Sequence, residues 1–154
     1  PAMTIDLLPT FARLAQAPLP PQTIDGRDIS ELLLNPKEAR TPHAALWFYY
    51  ANNELQALRS GRWKLILPHT YRTMGTQPRA TGGIPAKYQQ HKAGTELYDL
   101  ESDIGETTDL AARHPEIVAQ LQAEVEKARA DLGDSLTQRT ATGARPAGQL
   151  NSTP

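Results

Sequence analysis

The stretch that most narrows what this chain can fold into is Glu96–Leu110, which reads Glu-Leu-Tyr-Asp-Leu-Glu-Ser-Asp-Ile-Gly-Glu-Thr-Thr-Asp-Leu. A short strand over 96–100 gives way to a polar turn over 102–106, and a helix opens soon after at His114-Pro115. Here strand-type sequence hands over to the last helix, so the fold must combine both kinds of element. That helix is the clearest in the chain. Pro115 suits its first turn, Ile117, Leu121, Val125, Ala128 and Leu132 recur at helical spacing, and Gly133 can close it. Glu116, Glu124, Lys127 and Arg129 are expected on its solvated face.

Upstream, an antiparallel meander is expected. Residues 44–50 are rich in aromatic and apolar side chains and read as a central strand covered on both faces. Asn52-Asn53 suits a tight turn because asparagine tolerates positive φ. A strand over 54–59, a turn at Ser60-Gly61 and a strand over 62–67 follow. In the last of these Trp63, Leu65 and Leu67 face one way and Arg62, Lys64 and Ile66 the other. Adding 96–100 gives an antiparallel sheet of about four strands with the C-terminal helix packed on one face, an α+β fold. The connection over 68–95, with three prolines and four glycines, reads as a long loop.

At the N-terminal end Thr4 or Asp6 can cap a helix that carries Leu7, Leu8, Phe11, Leu14 and Ala15 on one stripe. Three prolines over 18–21 end it and start an extended linker. Ser30–Leu34 reads as one helical turn and 35–42 as loop. The expected organisation is 1–17 helix, 18–42 linker and turn, 43–133 subdomain, and 134–154 an extended or disordered tail.

Charge is nearly balanced, 16 Lys+Arg against 17 Asp+Glu, which argues against nucleic acid as a partner. The absence of cysteine excludes a thiol nucleophile and a cysteine zinc site among these residues. No apolar run approaches the ~20 residues of a membrane span. Yet charge is segregated: residues 55–95 hold no Asp or Glu, where the average of 17 in 154 predicts four or five. They do hold Arg59, Arg62, Lys64, Arg72, Arg79, Lys87 and Lys92, with His69 and His91. Such a segment suits an anion through charge-assisted hydrogen bonds, the alternative being a solvated basic face without a ligand. The run Pro68-His69-Thr70-Tyr71-Arg72 is the best-equipped part of it for a sulfate or a sugar hydroxyl. His43, His69, His91 and His114 lack metal spacing, and Asp99, Glu101, Asp103 and Glu106 lack a calcium-loop pattern. Turn and cap duties account for those acids better.

Four segments in order resemble the C-terminal part of type I, arylsulfatase-like sulfatases. Asp6-Leu7-Leu8-Pro9-Thr10 resembles the "DLxPT" segment that closes their catalytic domain. Ile24–Asp28 resembles their "DGxDL" turn, Leu58–Leu65 their "xRxGxxKLI" hairpin, and Glu96–Ala111 their "LYDLxxDPGExxNLA" signature. Ile104 and Asp109 replace the usual proline and asparagine, and the turn is expected to survive both. The resemblance implies a small C-terminal subdomain docked on a larger α/β catalytic domain, with 1–17 as that domain's last helix. It also implies a rim of the substrate pocket, with His69, Tyr71, Arg72 and Lys64 as the candidates to line it. The family's formylglycine nucleophile, its calcium ligands and its catalytic Lys/His set precede the segment matched by Asp6–Thr10. No catalytic or metal residue carries over to this chain, which is expected to be inert alone. Its partners would be the upstream domain and a sulfated small molecule or carbohydrate. The rivals are a stand-alone anion- or sulfated-carbohydrate-binding module and a purely structural piece. Periplasmic, secreted and cytoplasmic locations all stay open.

Overall fold

The computed structural model describes residues 1–78 and 80–146; Arg79 of the acid-free stretch and the last part of the expected tail lie outside the described residues. The chain forms two compact units, Pro1–Leu46 and Trp47–Pro154.

In the first unit a 3-10 turn over Thr4–Asp6 runs into α1, Leu7–Leu14, and a short α2 spans Ser30–Leu34. Asp6 organises it, though not as a cap of α1. Its fully buried carboxylate accepts the Met3 N–H at 2.8 Å and the Arg27 N–H at 2.9 Å, and lies 2.8 Å from His43 Nε2. Burial opposes ionisation there, but these donors outweigh it and hold the carboxyl below its ordinary range. Thr10 extends the same tie, donating to the Asp6 carbonyl at 2.6 Å and accepting the Ile29 N–H at 3.0 Å. Gly26 passes so close that a Cβ would sit 1.9 Å from the Ile5 carbonyl oxygen. Because α1 turns Pro9 and Thr10 inward, Leu7, Leu8, Phe11 and Leu14 are left 44%, 53%, 58% and 50% exposed.

The second unit holds an antiparallel sheet in the order β1-β2-β3-β6, with β1 Leu46–Tyr50, β2 Glu54–Ser60, β3 Trp63–Ile66 and β6 Glu96–Asp99. Register aligns Leu58 with Leu65 and Leu65 with Leu97, so three fully buried leucines form one rung. Trp63 and Leu67 share that face with Leu65, and α3, Pro115–Leu132, covers it with Leu121, Val125 and Ala128. Each buried leucine contributes about 1.5–3 kcal/mol of transfer free energy. The helix bounds, the strand bounds to within a residue or two and the four-strand pairing match the sequence expectation. The turn survives its two substitutions: Asp103 accepts the Thr107 and Thr108 N–H groups at 2.8 and 2.9 Å, and Asp109 those of Leu97 and Ala111, both at 2.9 Å.

Three expectations are corrected. First, β1 is an edge strand, and its Trp47, Phe48 and Tyr50 are exposed rather than covered on both faces. Second, the 68–95 connection is no structureless loop, since β4 (His69–Thr73) and β5 (Gln89–Ala93) pair within it as a separate two-stranded sheet. Third, Arg129 does not belong to the solvated face of α3. Its Nε donates to Asp134 at 2.9 Å and its Nη1 to Glu126 at 2.7 Å.

The end of α3 explains that role. Its last carbonyls need donors, and the β1–β2 corner supplies them. Tyr49 Oη donates to the Gly133 carbonyl at 2.9 Å, and Asn53 Nδ2 to that of Leu132, also at 2.9 Å. Gly133 has φ of 76°, and a Cβ there would sit 2.9 Å from both Ala141 N and the Arg139 oxygen. Asp134 follows, wholly buried, accepting Leu55 N–H at 3.3 Å, Leu136 N–H at 3.0 Å and Thr137 Oγ1 at 3.1 Å besides Arg129. Residues 134–143, expected to be extended or disordered, fold back on α3, where Thr142 and Gly143 donate to the Ala130 and Asp131 carbonyls at 3.1 and 2.8 Å. Replacing the Asp134 carboxylate by an amide leaves the largely buried Arg129 with Glu126 alone and sets an N–H donor against donors that now meet an acceptor oxygen. Asp134→Asn is expected to cost about 3 kcal/mol. Urea unfolding followed by tryptophan fluorescence checks it, because both tryptophans, Trp47 and Trp63, lie in this unit.

Asp99 supplies a pH test. The Arg62 guanidinium, joined by Ser102 Oγ and the Glu101 N–H, holds its carboxyl well below the usual range despite burial. A lowered folded pKa gives stability that is fully present above the unfolded value of 3.8 and lost as pH falls through the folded one. The urea midpoint should therefore hold from about pH 7 to about pH 5 and drop below that. Asp99→Asn should be less stable at neutral pH and show a shallower acid decline.

Candidate functional site

The β4–β5 hairpin carries the sequence candidates His69, Tyr71 and Arg72, on a strand whose pairing sorts them onto two faces. Register sets His69 against Ala93, Tyr71 against His91 and Arg72 against Gln90. His69, Tyr71 and His91 thus share one face, with ring centroids 5.6 Å apart for His69–Tyr71 and 5.2 Å for Tyr71–His91. Thr70, Arg72, Lys92 and Gln90 share the other.

On the aromatic face His69 Nδ1 lies 2.7 Å from the Leu67 carbonyl. A carbonyl only accepts, so Nδ1 is the donor in this contact and Nε2 is left facing away from it. His69 and Tyr71 border a groove of about 400 Å³, walled on the sheet side by Ile66, Glu96, Tyr98 and Glu106. Tyr98 donates to Glu96 at 2.7 Å, and burial followed by that carboxylate pushes its phenol far above its ordinary range. Lys64, the fourth candidate, does not join His69 at this wall as a free cation. Its Nζ binds both Glu106 oxygens at 2.6 and 2.8 Å and stands 5.4 Å from the Phe48 ring centroid.

Arg72 faces the second groove, of about 520 Å³, shared with Tyr50, Glu54, Gln56, Tyr88 and Gln90. Its guanidinium carbon lies 5.5 Å from the Tyr88 ring centroid, a cation–π arrangement. Tyr71 reaches both grooves. Sequence reasoning missed Tyr50 and Tyr88, because nothing in the order of residues tells that a turn near 51 and a residue near 88 meet beside β4.

The cations of the acid-free stretch divide by element. Arg62 pairs with Asp99 and, at 3.0 Å, with Glu101; Lys64 pairs with Glu106; Arg59 donates to the Gly61 carbonyl at 3.2 Å. The acids of the 99–106 turn are therefore occupied by the β2–β3 hairpin or by their own turn. Among the described residues no carboxylate lies within 4 Å of Arg72, Lys87 or Lys92, and no group of three or more His, Asp or Glu side chains is placed to hold a metal ion.

Residues 41–154 match the family model described as the C-terminal region of aryl-sulfatase. Arylsulfatase A of Homo sapiens is 34% identical over 164 aligned positions, which cover 97% of this chain and 31% of that protein. Steryl-sulfatase of Mus musculus is 33% identical over 147 positions, covering 86% of this chain and 23% of that protein. A sulfatase of Formosa agariphila is 30% identical over 115 positions, 73% of this chain and 19% of its own length. The chain spans about a third or less of the curated relatives it matches. With its four-stranded sheet, its last helix and the turn between them all in place, the chain belongs to the sulfatase family, as the C-terminal region of an arylsulfatase-type protein.

Proposed function

We propose that this chain serves as the C-terminal subdomain of a sulfate-ester hydrolase, and that its β4–β5 hairpin forms a cationic part of the substrate entrance. The observation that carries the second half is the division of charge: Arg62 and Lys64 of the β2–β3 hairpin are paired with carboxylates and Arg59 with a backbone carbonyl, whereas Arg72, Lys87 and Lys92 have no carboxylate beside them among the described residues. Cations without internal partners raise the local concentration of an anionic ester and orient it by charge-assisted hydrogen bonds.

The bond-breaking chemistry belongs elsewhere in the protein. Sulfate-ester hydrolysis needs an activated nucleophile and a cation against the developing charge. These 154 residues contain no cysteine and no Cys/Ser-x-Pro-x-Arg run from which a formylglycine is made. The described side chains do not fit a calcium site, because the carboxylates of the 99–106 turn are taken up by Arg62, Lys64 and turn donors. Nucleophile and metal are assigned to a catalytic domain of the same polypeptide. The exposed Leu7, Leu8, Phe11 and Leu14 offer that domain an apolar stripe to cover.

In the full-length enzyme, Arg72→Ala combined with Lys92→Ala should raise KM for a sulfate ester about three- to tenfold with kcat nearly unchanged. The gap should narrow as salt is added. An unchanged KM would remove the hairpin from the entrance. Release of sulfate by the isolated 154-residue chain would overturn the assignment of catalysis to another domain.

A further inference from the structure

We infer that the outer edge of β1 is an interface between two copies of this chain, which pair antiparallel about Phe48 and join their four-stranded sheets into one continuous sheet. The inference does not depend on the reading of the β4–β5 hairpin.

An edge strand directs alternate N–H and C=O groups outward, and folded proteins blunt such edges with charge, proline, bulges or covering chain. The other edges here follow that rule. On β6 the chain that follows closes the outer side: the Leu97 N–H donates to Asp109 at 2.9 Å, and the Leu97 carbonyl accepts the Leu110 N–H at 2.8 Å. The separate hairpin carries Arg72 on β4 and Lys92 on β5. β1 has neither device. It reads Leu-Trp-Phe-Tyr-Tyr, with no charge and no proline, and among the described residues no strand pairs with its outer edge. Its rings are left open as well, Trp47 being 37%, Phe48 39% and Tyr50 62% exposed. Unpaired backbone groups flanked by exposed rings match one kind of partner, a second strand with apolar side chains.

β1 itself meets that description. Ala51 leaves the strand with φ of 45°, so a ladder along this edge ends at Tyr50. A two-fold axis at Phe48 gives the register that engages all five residues. It sets Phe48 against the partner's Phe48, Trp47 against the partner's Tyr49 and Leu46 against the partner's Tyr50. Every cross-strand pair is then apolar or aromatic, and no like charges oppose one another. Tyr49 is already held for this role, because its hydroxyl donates to the Gly133 carbonyl at 2.9 Å and fixes the ring on the α3 side of the sheet. Strand alternation puts Trp47 on that side too and Phe48 on the other, so both faces of the joined sheet gain contacts.

The test is sedimentation equilibrium of the full-length enzyme and of the 154-residue chain at micromolar concentration. Both should form dimers. Tyr50→Lys, which supplies the charge that blunted edges carry, should raise the dissociation constant about tenfold or more in each. An unchanged urea midpoint, extrapolated to low protein concentration, shows that the variant is folded. The two-fold axis gives a second readout. The chain has no cysteine, so Phe48→Cys places a single thiol beside its own copy, within the Cα spacing that a disulfide spans. Mild oxidation should link this variant into dimers, whereas Phe11→Cys on the α1 stripe and Ile104→Cys on the exposed turn should stay unlinked. Monomers throughout, dimers indifferent to Tyr50→Lys, or linkage at Phe11 or Ile104 in place of Phe48 would each overturn the inference. So would a monomeric full-length enzyme whose isolated chain dimerises, because another domain would then cover the edge.

Discussion

The buried carboxylate of Asp134 is the interaction on which the second unit depends. It sits just past the end of α3, where the helix leaves acceptors unsatisfied, and just before β2, whose Leu55 N–H it takes up. Arg129 from the last turn of the helix neutralises it, so the charge is tolerated only while helix, strand and the returning 134–143 segment are all in place. A single group thus ties the position of α3 along the sheet to the strand that carries Leu55 and Leu58. Were it absent, the leucine rung would still favour burial under a helix, but the register of that helix would be less well specified.

Much of this architecture was legible in the residues. The leucines of β2, β3 and β6 and the stripe of α3 are strong periodic signals, and Gly133 marked the helix end correctly. What escaped was whatever depends on a partner distant in the chain. The composition of β1 is that of an interior strand, but its place in the sheet is decided by which strands close on it, and among the described residues no strand pairs with its outer edge. The β4 residues His69, Thr70, Tyr71, Arg72 and Thr73 and the β5 residues Gln89, Gln90, His91, Lys92 and Ala93 lack alternating apolar character. Among glycines and prolines they read as loop until their mutual register supplies the ladder. Arg129 looked like any helix-surface cation because its acceptor lies beyond the helix.

The candidate site shows the same division. The lack of acid between 55 and 95 was visible, and so was the acid-rich turn that follows. Which cations that turn would neutralise was not. Topology settles it: β6 lies beside β3, so the carboxylates of the 99–106 turn meet Arg62 and Lys64 and, among the described residues, pair with no cation of the hairpin. Of the four candidates, Lys64 is committed to Glu106, His69 and Tyr71 share one face, and Arg72 turns to the other.

The hairpin's pairing has a consequence for how such a region can change over time. β4 bonds to β5 and to no strand of the four-stranded sheet. A lengthened, shortened or re-sequenced hairpin therefore breaks no rung of the scaffold and disturbs neither the leucine layer nor the helix above it. Residues of the hairpin can drift freely there while the framework stays under constraint. The scaffold behaves as a fixed mount and the hairpin as its exchangeable fitting.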